Sequence, residues 1–260
     1  MLDYDISDAV AVITLNRPDV LNAFNDDMGK AALEAVEAAA ADDAVRCAVI
    51  TGAGRAFCSG EDLGALASAY SAGTVPDLGD TLRNRYNPLI RAVRDAPKPF
   101  IAALNGVAAG AGASLALACD FRIASEHAKI VLAFVKVGLV PDSGGLWFLT
   151  RMVGVAKAFE LCALGEPIAA EEALRLGLVN KVVAADEFED SWRLFARSLA
   201  AGPTRAYVLI KTMANHAADM NLEEQLESEV VAQAEAGRTA DHLEGVQAFL
   251  AKRRPDFQGR

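Results

Sequence analysis

The chain has 260 residues, 53% of them hydrophobic and 23% charged, which is enough apolar material for one substantial core with room for a helical appendage. Its formal net charge of −10 repels phosphate backbones, so a nucleic-acid partner is not expected. No apolar run approaches the roughly 20 residues of a membrane-spanning helix, and the acidic start MLDYDISDAV lacks the basic segment of a signal peptide, so a cytoplasmic protein without membrane attachment is expected.

Along the chain, Ala9 to Leu15 (AVAVITL) reads as a strand closed by the turn residues Asn16-Arg17-Pro18-Asp19. Asp26 to Ala41 is Ala-rich, with Leu33 and Val36 spaced for one helical face, and Val45 to Ile50 returns as a strand. A Gly-rich turn, GAGRAFCSGEDL (52–63), follows the apolar run Cys47 to Thr51. Residues 68–80 are small, polar and punctuated by Gly and Pro, which predicts a mobile loop over whatever that turn lines. A helix is expected from about Leu82 to Arg94, ending before Pro97-Lys98-Pro99.

Phe100 to Leu104 reads as the next strand, and a second Gly-rich turn, NGVAAGAGAS (105–114), runs into the apolar stretch Leu115 to Cys119. Phe121 to Ala124 and Ile130 to Ala133 are further short strands, apolar enough for burial on both faces. From Asp186 onward the pattern is helical, over Phe188 to Ala200, Pro203 to His216, Leu222 to Ala236 and Asp241 to Lys252. Strands first and helices last indicate an α/β core, spiral or layered, with a helical C-terminal segment.

The four cysteines (Cys47, Cys58, Cys119, Cys162) are isolated, and with the three histidines (His127, His216, His242) they show no metal-ligand spacing, so no metal is expected. Cys47 and Cys119 fall in apolar runs and read as inert core thiols. Gly110-Ala111-Gly112 lacks the third glycine of a dinucleotide fingerprint, because Leu115 stands there. The Gly-rich turns have two readings. In one, they only make tight corners between strands and helices, which is all that most such turns do. Alternatively, two of them can aim backbone N–H donors at one carbonyl oxygen, forming an oxyanion hole.

Several long segments in order carry a family resemblance over nearly the whole chain: NRPDVLNAF (16–24), the first Gly turn, PKPFIAALNGVAAGAGASLALACD (97–120), VGLVPDSGG (137–145) and EGVQAFLAKRRPDF (244–257). They resemble the crotonase superfamily, the enoyl-CoA hydratase/isomerase group. The resemblance implies a β-β-α spiral core over residues 1–200 with a C-terminal helical oligomerisation region over 201–260. It also implies homotrimers or hexamers (dimers of trimers) and an acyl-coenzyme A thioester substrate, with no separate cofactor.

Carried onto this chain, the resemblance makes the backbone N–H groups of Glu61 and Ala111 the oxyanion donors, flanked by Gly60, Gly110 and Gly112. Hydratases of the family bear two glutamates that hold water, and these positions fall here at Ser114 and Phe134. A phenylalanine moves no proton and a serine without a base is a poor substitute, which disfavours hydration by that route. Asp142, in Val140-Pro141-Asp142-Ser143-Gly144-Gly145, remains. Read alone, it suits a helix N-cap. Within the family it faces the acyl chain, and Phe134, Val140, Leu146 and Trp147 are expected to desolvate it and raise its pKa for proton shuttling.

One base, one oxyanion hole and no water-holding pair favour isomerisation. Within the family, the likeness is greatest to the branch that rearranges ring epoxides in phenylacetate catabolism, itself akin to β,γ-to-α,β enoyl-CoA isomerases. The competing readings are a hydrolase or dehalogenase using Asp142 as nucleophile, a hydratase, and a non-catalytic acyl-CoA-binding oligomer. For coenzyme A itself, the resemblance points to Ala23 and the Glu61-Asp62-Leu63 backbone, to Arg55 near the nucleotide phosphates, and to Phe249 and Lys252 from the C-terminal region. Arg55 and Lys252 would otherwise be solvated surface charges.

Overall fold

The computed structural model describes residues 1–260, apart from the side chains of Ser68 and Ala69. Strands β1 (Leu2–Ser7) and β2 (Val10–Leu15) form an antiparallel hairpin, followed by helix α1 (Asp26–Ala41). The first spiral turn then places β3 (Cys47–Gly52) in one sheet, β4 (Ala56–Cys58) in a second, and short helices α2 (Ala67–Ser71), α3 (Leu78–Thr81) and α4 (Asn87–Asp95) outside them. The next turn repeats this order with β5 (Phe100–Leu104), β6 (Val107–Ala109) and α5 (Ala111–Ala118), and the third with β7 (Phe121–Ser125), β8 (Lys129–Val131) and α6 (Gly145–Leu164). β9 (Ile168–Ala169), α7 (Ala170–Arg175) and β10 (Lys181–Val183) close the core. The remaining helices are α8 (Phe188–Ala200), α9 (Thr204–Ala217), α10 (Leu222–Ala236) and α11 (Ala240–Leu250).

Each turn of the chain contributes one strand to each sheet, so like strands stack in register. The larger sheet has the order β1-β2-β3-β5-β7-β10, parallel except for its first pair. The smaller has the order β4-β6-β8-β9, with β4, β6 and β8 parallel. This is the β-β-α spiral expected.

Strand periodicity explains how the central strands β2, β3 and β5 of the larger sheet are buried on both faces. Ala11, Ile13, Leu15, Ala48, Ile50, Phe100, Ala102 and Leu104 enter the main core with α1, α4 and α5. Their neighbours Val10, Val12, Cys47, Val49, Ile101 and Ala103 face the other way, onto Phe188, Trp192, Ala196 and Leu199 of α8. Sealing each valine, leucine, isoleucine or phenylalanine among them from water contributes roughly 1.5–3 kcal/mol. Arg46 fastens the C-terminal helices to this core, donating to Thr204 Oγ1 at 3.0 Å, to the Phe257 carbonyl at 2.9 Å and to the Gly202 carbonyl. No described helix is long and apolar enough to cross a membrane.

Three sequence expectations change. The stretch 68–80 is not loop throughout, because α2 reaches into it and α3 forms where the Asp77 carboxylate accepts from the Asp80 N–H at 2.9 Å. The helix expected over Leu82 to Arg94 opens as a π-helical turn, Leu82–Tyr86, before α4. The edge strand β1 and the long helix α6 were not expected.

Candidate active site

Because β4 and β6 are parallel neighbours, the residues leaving their C-terminal ends are neighbours too. Glu61 follows β4 and Ala111 follows β6. A Cβ built on Gly60 would stand 3.4 Å from Ala111 N and 2.9 Å from the Ala109 carbonyl, so the two Gly-rich turns are in contact and only glycine fits, at φ +94°.

On its other side Glu61 forms a parallel bridge with Phe24. That bridge uses the Gly60 carbonyl, accepting from Phe24 N–H at 2.7 Å, and the Asp62 N–H, donating to Phe24 O at 2.8 Å. Alternation then turns the N–H of Glu61 away from Phe24, to the side where β6 lies. Ala111 is the first residue of α5, so its N–H has no acceptor within its own helix. Two backbone donors at this spot, one at a helix N-terminus, can hold a developing negative charge on oxygen.

The loop 16–24 is organised by buried Asn22. Its side-chain amide donates to the carbonyls of Ala53 and Ala56 at 2.9 and 2.8 Å, and its oxygen accepts from Arg17 N–H. Arg17 in turn donates to the Ala23 carbonyl at 2.6 Å and pairs with Asp62 at 2.8 Å, holding the Asp62 carboxyl below its usual range.

The end of β8 supplies the third wall through the 3-10 turn Ala133–Val137 and the loop to α6. A cavity of about 270 Å³ results, lined by Glu61, Leu63, Gly110, Ala111, Phe134 and Asp142 together with Ser59, Leu66, Tyr70, Leu78, Thr81, Leu82, Tyr86, Ala133, Val137, Leu139 and Val140. It is largely apolar. Asp142 is no helix cap: α6 starts after Gly144 at φ 76°, with no side-chain cap, and the Asp142 carboxylate accepts from Ser143 Oγ at 2.8 Å. Burial pushes its pKa up, Ser143 opposes this, the Glu61 charge adds to it and Arg85 subtracts. Ser114, fully buried, donates its hydroxyl to the Asp142 carbonyl at 2.9 Å.

A sequence profile of the family described as enoyl-CoA hydratase/isomerase matches residues 5–260. The chain belongs to the enoyl-CoA hydratase/isomerase family. It is 46% identical over 255 residues to the 1,2-epoxyphenylacetyl-CoA isomerase of Escherichia coli (strain K12), covering 98% of this chain and 97% of that one. It is equally similar, 46% over 257 residues with 99% and 97% covered, to a probable enoyl-CoA hydratase of Rhodobacter capsulatus. A crystal structure from Mycobacterium abscessus assigned to the same hydratase/isomerase group superposes with a TM-score of 0.94, at 38% identity and full coverage of both chains.

In this family member the cavity brings together Glu61, Leu63, Gly110, Ala111, Phe134 and Asp142, with Gly60, Gly112 and Ser114 directly behind them. Ala23 and Asp62 lie beside the wall, tied by Arg17. Leu146 and Trp147 do not line it. Trp147 packs edge-on against Phe148, and the Arg151 guanidinium sits 3.7 Å from its ring centroid. Arg55 is exposed and precedes β4, whereas Glu61 follows it. Phe249 is 82% exposed and lines a different cavity with Pro203, Val246 and Phe257, while Lys252 is exposed beyond α11.

Sequence reasoning missed the side chain of Glu61. It accepts from Tyr86 Oη at 2.5 Å and from Arg85, which also pairs with Asp26 at 2.8 Å. Arg85 and Tyr86 come from the π-helical turn, 24 and 25 residues downstream, and no local pattern links them to Glu61.

Proposed function

We propose that this protein is an acyl-CoA isomerase in which Asp142 shuttles a proton while the N–H groups of Glu61 and Ala111 hold the thioester oxygen. The observation that carries this reading is the placement of Asp142, a carboxylate that lines an apolar cavity, accepts from Ser143 and has no ion-pair partner among the described residues. The positions implied for a water-holding pair are meanwhile taken by Phe134 and by Ser114, whose hydroxyl is spent on the Asp142 carbonyl.

On a β,γ-unsaturated thioester, the Asp142 carboxylate takes a proton from the α carbon. The electron pair moves into the thioester carbonyl, giving a dienolate whose oxygen the two N–H groups stabilise. Asp142 returns the proton at the γ carbon and the conjugated α,β-enoyl thioester results. The same base and oxyanion site suit rearrangement of a ring epoxide carried next to the thioester, which the Escherichia coli relative's name describes. Exposed apolar residues on α10 and α11, among them Leu222, Val230, Val231 and Phe249, support a homotrimer or hexamer built through residues 201–260.

Turnover of a β,γ-enoyl-CoA, followed by the ultraviolet absorbance of the conjugated product, tests the reading. Wild type should conjugate it. Asp142→Asn should lose about 10²–10⁴-fold in kcat while still binding the ester. A hydratase reading is favoured by the Rhodobacter capsulatus relative and by the presence of a second carboxylate, Glu61, in the cavity. Loss of absorbance from an α,β-enoyl-CoA in the same assay, with no conjugation of the β,γ isomer, would replace isomerisation by hydration.

A further inference from the structure

Glu61 is held from two directions. Its main chain is bridged to Phe24, its carboxylate is gripped by Arg85 and Tyr86, and its N–H is left facing the cavity side. Tyr86 is 4% exposed and packs edge-on against Phe24 at 5.7 Å, so the ring that reaches the Glu61 carboxylate also braces the residue bridged to Glu61. The Arg85 guanidinium stacks on the Tyr86 ring at 4.8 Å.

Three features accommodate this clasp, two of them at some expense. Gly29 lies inside α1, at the end of its first turn, and glycine in a helix is about 1 kcal/mol worse than alanine. A Cβ there would stand 2.5 Å from both Cγ and Cδ of Arg85, so the glycine is the notch through which the arginine stem passes. Arg85 Nε is also buried without a hydrogen-bond partner, a donor sacrificed so that the two terminal nitrogens can reach Asp26 and Glu61. The π-helical turn widens the backbone just where two consecutive side chains must converge on one oxygen.

We propose that Arg85 and Tyr86 are positioning residues that clasp the Glu61 carboxylate and thereby fix the direction of the Glu61 N–H in the oxyanion site, with Gly29 as the notch that admits Arg85. The inference rests on the oxyanion role given to Glu61 above. The clasp also ties the wall made by Leu78 to Tyr86 to the strand end that receives the carbonyl, so acyl-pocket wall and oxyanion site form one unit. Burial and the Glu61 charge hold the Tyr86 hydroxyl protonated, so it acts as a donor to Glu61 and not as a base.

The infrared carbonyl stretch of bound, carbonyl-labelled hexanoyl-CoA reports polarisation directly and needs no turnover. Wild type should lower this frequency relative to the free ester. Arg85→Ala, Tyr86→Phe and Glu61→Ala should each keep less than half of that downshift, with ester binding within about three-fold of wild type. On the β,γ-enoyl substrate kcat should fall about ten-fold with KM nearly unchanged, because the lost contact acts on the transition state. Arg85→Lys should restore part of both. Gly29→Ala, which leaves every clasp residue in place, should reproduce the Arg85→Ala spectrum. A wild-type downshift retained in full by Tyr86→Phe and Gly29→Ala, both folded by circular dichroism, would overturn the clasp while leaving the oxyanion site standing. A wild-type complex with no downshift would overturn the oxyanion reading and the clasp together.

Discussion

The Ser114 hydroxyl donates to the main-chain carbonyl of Asp142 across 2.9 Å, joining the buried second half of the Gly-rich turn to the loop that carries the carboxylate. The same carbonyl accepts from Gly145 N–H at 2.8 Å, and a Cβ on Gly145 would lie 2.6 Å from Ser114 Oγ. Ser114 therefore acts as a peg under the loop. Ser114→Ala removes one buried bond and should cost about 1 kcal/mol in stability. It should also lower kcat on the β,γ-enoyl ester several-fold, with KM little changed, because the loop and not the binding wall loosens. Thermal unfolding and steady-state kinetics of the one variant check both.

Asp142 gives a pH dependence whose sign differs between activity and stability. Its pKa is raised in the folded protein, mainly by burial. As a base it must be ionised, so kcat should rise with pH along a limb centred above the ordinary carboxylate value of 3.8. Ser143→Ala removes the bond that favours the anion and should move that limb further up. For stability, the folded state binds this proton more tightly than the unfolded chain, so stability is lost as pH rises through the window between the two pKa values. Asp142→Asn should therefore raise Tm near pH 8 and lose the gain near pH 4. A gain that is equal at both pH values would assign it to packing instead of charge.

What the sequence made legible follows from how local the cause is. Helix α1 was readable because its signals are its own, an Ala-rich run with Leu33 and Val36 spaced for one face; the structure adds the Asn25 cap and buries Met28, Ala32, Ala35 and Val36. The doubly buried strands read as apolar runs, and the two Gly-rich turns marked where strands of neighbouring spiral turns end. β1 was overlooked although Leu2, Tyr4 and Ile6 alternate with Asp3, Asp5 and Ser7 as in a strand. The stretch is short and acidic, and five of its six residues are exposed at the edge where it pairs only with β2. α6 was hidden by Gly145 and Gly154, the latter at a non-helical φ of 74° within it. The Glu61 clasp was out of reach for the same reason: its parts, Gly29, Glu61, Arg85 and Tyr86, meet only once the spiral has closed.

Cys47, Cys58 and Cys119 should be chemically silent in the native state. Cys47, Cys58 and Cys119 are at most 1% exposed, and burial pushes the Cys58 and Cys119 thiols up to about 12. At pH 8 that leaves a thiolate fraction of only ~10⁻⁴ on each. A thiol-reactive chromophore should thus label these three positions only after denaturant is added. Rapid native labelling of Cys58, which donates no proton and accepts from Gly60 N–H at 3.4 Å, would mean that the first Gly-rich turn opens readily.

Gly112 decides how close α5 can come to β4. A Cβ there would lie 2.7 Å from Cys58 Cβ and 2.8 Å from its sulfur, and nearer still to its carbonyl oxygen. In an ordinary helix, alanine in place of glycine gains about 1 kcal/mol. Here the obstacle includes strand backbone that cannot rotate aside, and overpacking of this kind costs roughly 1–3 kcal/mol. Gly112→Ala should therefore lower Tm despite the better helix former. The clash pushes the N-terminus of α5 off β4, carrying the Ala111 N–H away from Glu61. Its effect on kcat should exceed that of Ser114→Ala, by ten-fold or more, since one of two donors is displaced from the oxygen it would hold. Parallel Tm and kcat measurements on the two variants test this ordering, and a Gly112→Ala protein more stable than wild type would show that α5 and β4 are not in the tight contact described.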